Sequence, residues 1–206
     1  GFDKVVRSNS VRNTQTSQSF RQDFPYIGHL IQQQVVDQTS GQTLSLNQTS
    51  WDAIPLGTQI QYAYPQSHLS VSYQGGAATS ASVTQQAVSL APNNVFQQDS
   101  DTTTTYASVD AQLQPQGEVA SVEHQYTYQQ RPANWLLGFV SQQTDTYTRG
   151  SDSKTIVTAS TPCGNTNKAE TRVDYQGNTV LQKTTSFTYS STGIQICCQR
   201  EVLGCP

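Results

Sequence analysis

The stretch Gln59-Ile60-Gln61-Tyr62-Ala63-Tyr64, followed by Leu69-Ser70-Val71-Ser72-Tyr73, decides the fold class of this chain. Ile60, Tyr62 and Tyr64 alternate with Gln59, Gln61 and Ala63, and Leu69, Val71 and Tyr73 alternate with Ser70 and Ser72. In an extended chain every second side chain lies on the same face, so both stretches predict half-buried β-strands. The alternation returns late in the chain, where Thr184, Ser186 and Thr188 alternate with Thr185, Phe187 and Tyr189. Runs such as 30–36, 118–122 and 154–157 have the β-branched enrichment of strands.

Turn signals punctuate these runs. They fall at Pro25 to Gly28, Pro55-Leu56-Gly57, Gly75-Gly76, Pro92-Asn93-Asn94, Pro115-Gln116-Gly117, Gly150, Pro162-Cys163-Gly164 and Gly177-Asn178. Residues 99–105, Asp99-Ser100-Asp101 with four threonines, read as a passage from loop to strand. The best helical window, Ala78 to Leu90, holds too many Ser, Thr and Val residues to prefer helix. The chain therefore predicts an all-β fold, either an antiparallel meander or a sandwich of two sheets.

Composition narrows the function classes. Of 206 residues, 34% are hydrophobic and 12% charged, and 29 glutamines with many Ser and Thr make up the balance. Low charge with ten tyrosines, six phenylalanines and two tryptophans argues against disorder and supplies amphipathic area for a sheet. A formal charge of −3 leaves no basic patch for nucleic acid. No apolar run approaches the length of a membrane helix or signal segment. The chain has no methionine and begins with Gly1, so a processed product or a piece of a longer polypeptide is expected. Between Arg21 and Arg131 there is no lysine or arginine, a pattern that suits exposure to proteases.

Two segments suggest a family. Ser19-Phe20-Arg21-Gln22-Asp23-Phe24-Pro25-Tyr26-Ile27-Gly28 follows the opening Gly1-Phe2 step, and Asn134-Trp135-Leu136-Leu137-Gly138 follows later. Tyr175-Gln176-Gly177-Asn178-Thr179-Val180 and Phe187-Thr188-Tyr189-Ser190 look like worn YD repeats in which Gln176 and Ser190 replace the usual aspartate. In these motifs and their order the chain resembles the RHS (YD-repeat) family, above all the shell-forming part of secreted bacterial toxin-complex B components. Positions 1 to about 150 carry the likeness best.

The resemblance implies a meandering β-strip of RHS type, expected over 1–160; the cysteine-bearing, β-rich C-terminal region expected over 161–206, packed on the same sheet, departs from the family's pattern. It implies a non-catalytic, secreted or cell-surface segment that helps enclose or present a polypeptide. The expected partners are other RHS-type segments, copies of the chain meeting through β-edges, or an enclosed toxin polypeptide, with no cofactor. Phe24, Pro25, Tyr26, Gly28, Asn134, Trp135 and Gly138 would be structural positions. The family's C-terminal self-cleavage needs an Asp-Pro signature, and no Asp-Pro dipeptide occurs here. An extracellular adhesin or fibre subunit, associating through strand edges, is the competing expectation.

The remaining chemistry is sparse. His29, His68 and His124 are far apart in sequence and have no metal-ligand spacing. No Gly-x-Ser-x-Gly elbow, His-Glu-x-x-His or phosphate loop is present, and acidic residues are scattered. Trp135, between Leu136, Leu137, Phe139 and Val140, reads as a core anchor. Asn47-Gln48-Thr49 is a glycosylation sequon. Cys163, Cys197, Cys198 and Cys205 are disulfide candidates with three possible pairings. Adjacent Cys197 and Cys198 would point to opposite faces of a strand and so take different partners, with Cys163 and Cys205 as the other ends. Such bridges belong to an oxidising compartment. Zinc knuckles would show a C-x2-C spacing that is absent.

Overall fold

A computed structural model describes residues 2–91, 94–131, 136–163, 169–176, 181–189 and 195–203. Its regular elements are all strands: β1 (Lys4–Asn9), β2 (Thr14–Phe20), β3 (Leu30–Asp37), β4 (Thr43–Pro55), β5 (Gln61–Gln74), β6 (Ala77–Ala91) and β7 (Val95–Val109). They continue as β8 (Pro115–Arg131), β9 (Leu136–Arg149), β10 (Asp152–Pro162), β11 (Ala169–Gln176), β12 (Leu181–Tyr189) and β13 (Gln195–Leu203). The 13 strands form one sheet in strict sequence order, β1 to β13. An all-β antiparallel meander is thus the architecture, and the sandwich alternative fails because its strands would divide between two sheets. β11 to β13 continue the same order beyond residue 160.

The cross-strand rows explain why so polar a sequence forms a sheet. Gln34 faces Leu46, Leu46 faces Val71, and Val71 faces Ala81 across β3 to β6. Leu46, Val71 and Ala81 are buried, Val71 completely, and Leu69, Tyr73, Ala78, Tyr106, Val109 and Leu113 pack against them. One residue along, Gln18, Gln33, Asn47, Ser70 and Ser82 form the next row, on the opposite face. There the Gln18 amide donates to the Gln33 side-chain carbonyl at 2.8 Å, a neutral pair that satisfies itself across the sheet. Asn47, the sequon asparagine, sits half-buried in this polar row.

The chain divides into two compact units, Gly1–Ala87 with Thr102–Ser121, and Val88–Asp101 with Val122–Pro206. The first contains the Leu46–Val71–Ala81 core. The second buries Ala91 and Phe139, together with the polar Gln97 and Thr185.

Three local readings are corrected. Pro115-Gln116-Gly117 opens β8 and is not the turn. The turn lies just before it, where the Asp110 carboxylate accepts from the amides of Gln112 and Gln114 and Leu113 takes φ +62°. An aspartate that caps its own turn outcompetes the Pro-x-Gly signal. Residues 99–105 lie wholly within β7, because Thr and Asp find cross-strand partners there. Gln59 and Ile60 fall outside β5, which instead runs unbroken through Pro65. Pro65 is accommodated by a bulge: Trp51 pairs with Pro65 and Ser50 with Ser67, which leaves Gln66 over.

Candidate functional site

A concavity lies beside that bulge. Thr49 and Trp51 alternate onto one face of β4, while Pro65, Ser67 and His68 come from β5 and Thr84 and Gln86 from β6. With Leu30 they line a groove of about 320 Å³. Trp51 is held at two points. Its indole N–H donates to the Leu30 carbonyl at 2.9 Å, and the His29 ring meets it edge-on with centroids 4.1 Å apart. Beside it the His68 Nδ1 and the Thr49 hydroxyl lie 3.0 Å apart. Deeper along β6 the Thr84 and Thr103 hydroxyls bond at 2.9 Å. Asp52, next to Trp51, falls on the other face of β4, where the Tyr64 hydroxyl donates to its carboxylate at 3.3 Å.

The turn holding Phe24, Pro25, Tyr26 and Gly28 lies between β2 and β3. The Arg21 guanidinium stacks over the Tyr26 ring at 4.1 Å and pairs with the Asp23 carboxylate. Tyr26 N donates to Asp23 O, and Gly28 N to Arg21 O, which ties the two arms together. The Arg21 hydrogen bond holds the Asp23 carboxyl below its usual range. Gly28 has φ +80°, a left-handed conformation that glycine adopts without penalty. Phe24 and Ile27 are 65% and 60% exposed. With Phe2, Val5, Phe20, Gln22 and Gly28, Ile27 lines an apolar hollow of about 240 Å³.

The second unit holds a polar network. The Tyr126 hydroxyl donates to Asp101 at 3.0 Å, the Gln98 amide donates to the same carboxylate oxygen at 2.7 Å, and Tyr128 donates to the Gln98 carbonyl. Burial, and then the bond to Asp101, push the Tyr126 phenol up to about 12. His124 Nδ1 lies 2.7 Å from Asp145, which also accepts from Gln143. This is the imidazole–carboxylate half of a nucleophile-activating arrangement, but no serine or cysteine side chain is bonded to His124 among the described residues. Nor do those residues gather His, Cys, Asp and Glu into a metal-binding group.

Other sequence candidates fall as follows. His29 and His68 both belong to the Trp51 region, while His124 lies in the second unit. Gly138, with φ +71°, lies in β9 and donates its amide to the Gln130 side chain. Asn134 and Trp135 lie outside the described residues, as does Cys205. Cys163 follows β10, and Cys197 and Cys198 lie in β13 opposite Thr188 and Phe187. β10 and β13 are separated by β11 and β12. At about 4.8 Å per strand that is roughly 14 Å, whereas a disulfide needs Cα atoms within about 7 Å. A bridge from Cys163 to β13 would have to form away from the regular ladder.

Trp51 was not distinguished by sequence. The available signal was the change of parity in β5, from Tyr62 and Tyr64 to Leu69, Val71 and Tyr73, which marks a one-residue insertion near Pro65 opposite Trp51. No helix among the described residues is long and apolar enough to cross a membrane. No protein-family model matches the chain, and no curated protein matches it.

Proposed function

We propose that this chain is a non-catalytic structural segment of a secreted RHS-type protein, part of a β-wall that encloses or presents a polypeptide. One observation supports the reading above others: the strands follow each other in a single sequential ladder whose rows alternate between a thin apolar seam and neutral polar side chains. The polar rows carry Gln, Asn and Ser, which can hydrogen-bond a passing backbone but give no ion pair to hold one particular cargo. Such a surface suits containment better than tight recognition. Secretion and disulfides in the C-terminal region belong to the same proposal.

The test is assembly. The 206-residue chain and a longer polypeptide carrying its natural flanks would be compared by amide hydrogen exchange and light scattering. A wall segment gives weak protection of the β1 amides in isolation and strong protection with its flanks. An isolated monomer with fully protected terminal strands would refute it.

The adhesin or fibre reading is favoured by β1 itself. This terminal strand of the ladder has Val6 51% exposed, and Val11 in the following turn is 94% exposed. An edge of that kind pairs readily with another strand. Filaments formed by the chain alone would establish that alternative.

A further inference from the structure

We propose that the Trp51 groove binds a neutral pyranose, a sugar ring that carries hydroxyls and no ionised group. The argument begins with what the groove lacks. None of its lining residues carries a fixed charge. The adjacent acid, Asp52, is turned to the opposite face and accepts from Tyr64. The nearest basic residue in sequence, Arg21, is occupied by Asp23 and Tyr26. A charged ligand would lose its hydration here and find no counter-charge, so it is disfavoured.

What the groove offers is a mainly apolar lining on a rigid base, with polar residues among those that form it. Trp51, Pro65 and Leu30 supply apolar surface, which makes up most of the exposed lining, and Thr49, Ser67, His68 and Gln86 are the polar residues among it. A pyranose has that duality, with axial C–H bonds on one face and hydroxyls around the rim. A purely apolar partner would be better served by the hollow at Phe2, Val5, Phe20 and Ile27, where Gln22 is the one polar side chain. Size points the same way. About 320 Å³ stands near the lower end of small-ligand sites, suited to one or two sugar rings.

The site is also preorganised. The Leu30 carbonyl and the His29 ring fix the indole before any ligand arrives. The Thr49 contact engages His68 through Nδ1, which leaves Nε2 as the ring nitrogen to meet a sugar hydroxyl. Little side-chain entropy is then lost on binding.

Saturation-transfer NMR and calorimetry on the purified chain would test this with methyl glycosides of glucose, galactose, mannose and N-acetylglucosamine, and with lactose. Sialyllactose and a short proline-rich peptide serve as comparisons. At least one neutral glycoside should bind saturably, and sialyllactose should bind no tighter than lactose. Trp51→Ala should weaken binding about tenfold, the equivalent of losing one aromatic stacking contact. Gln86→Ala leaves the Trp51–Leu30 bond intact and should weaken it about threefold, as for one hydrogen bond. Circular dichroism verifies that each variant is folded, and if Trp51→Ala is not, Gln86→Ala and His68→Ala decide. Failure of every neutral glycoside to bind, binding unchanged in the folded variants, or binding of the peptide alone would overturn the proposal.

Discussion

Val71 is the most sensitive position for testing whether a thin apolar seam holds the first unit together. It is completely buried and lies in register between Leu46 and Ala81. Val71→Ala removes two methyl groups, which at about 0.8 kcal/mol per buried carbon gives roughly 1.6 kcal/mol of lost transfer energy. The neighbours are strand residues fixed by backbone ladders on both sides, so the space can close only partly and the cavity adds to the loss. The expected total is about 2–3 kcal/mol. Val71→Thr keeps the volume and the β-branch but buries a hydroxyl, so it should cost about 1–3 kcal/mol through desolvation alone. Val11→Ala, at a position 94% exposed, is the control and should stay within about 0.5 kcal/mol. Because the chain has two compact units, a global melt need not be two-state. Amide exchange at Leu46, Val71 and Ala81 reads the local opening energy directly. A Val71→Ala loss no larger than that of Val11→Ala would refute the view that this row anchors the sheet.

Other expectations are more local. Tyr126 has its folded pKa raised to about 12. The stabilisation tied to its protonated form is therefore intact below about pH 10, the unfolded value, and lost as pH rises through about 12. Asp101→Asn should lower that pKa in an ultraviolet titration yet leave it above the ordinary value, because burial is the larger cause; a return to the ordinary value would show the bond to dominate. Asp23 has a depressed pKa, so the Arg21–Asp23 contact is present above about pH 4 and lost as pH falls through the folded value. In carboxyl NMR, Arg21→Ala should move Asp23 back up, and an unmoved Asp23 would contradict the assignment. Gly138→Ala meets no atom within 4 Å but must hold φ +71°, so about 1–2 kcal/mol should be lost in urea unfolding through backbone strain. A neutral result would mean that β9 relaxes around the new side chain.

The strand content was legible because Tyr62 and Tyr64, and then Leu69, Val71 and Tyr73, each alternate with polar or small neighbours, and β5 carries both sets, the bulge at Gln66 bringing them onto one face. Gly75-Gly76 was legible as a turn because both residues take positive φ, which few other residue types accept. Pro115-Gln116-Gly117 misled because the same residue types can also open a strand; Gly117 does take φ +67°, but inside β8. Pro65 hid the continuity of β5, since a proline argues against a paired strand unless a bulge receives it. The Trp51 groove was illegible for a related reason. It depends on which residues of β4 and β5 face each other, and a one-residue offset at Ser50 and Trp51 sets that without altering local composition. The His124–Asp145 contact likewise joins strands whose register no local pattern announces.

Register is the central physical problem for a sheet so poor in apolar side chains. Where one face is strongly hydrophobic, a one-residue slip exposes the whole core and is forbidden; where both faces are polar, the slip costs little. The seam at Leu46, Val71 and Ala81 fixes the register of β4 to β6 in this way. β2 is nearly all polar, with Thr, Gln and Ser on both faces, and the centre of β3 is Gln32, Gln33 and Gln34. Their alignment depends on other devices: the Gln18–Gln33 amide pair, the offset at Phe20, and the Arg21–Asp23–Tyr26 turn that closes the hairpin. Further offsets at Val36, Trp51 and Tyr73 act on successive strand pairs. A bulge pins alignment because sliding it would leave its extra residue facing a partner with no matching gap. Glutamine and threonine can then fill the faces, since they need only satisfy hydrogen bonds at positions the bulges and turns have already set. The same logic explains why the Trp51 groove sits beside a bulge: an offset that fixes register also spreads the side chains around it, and Trp51 stands at that opening.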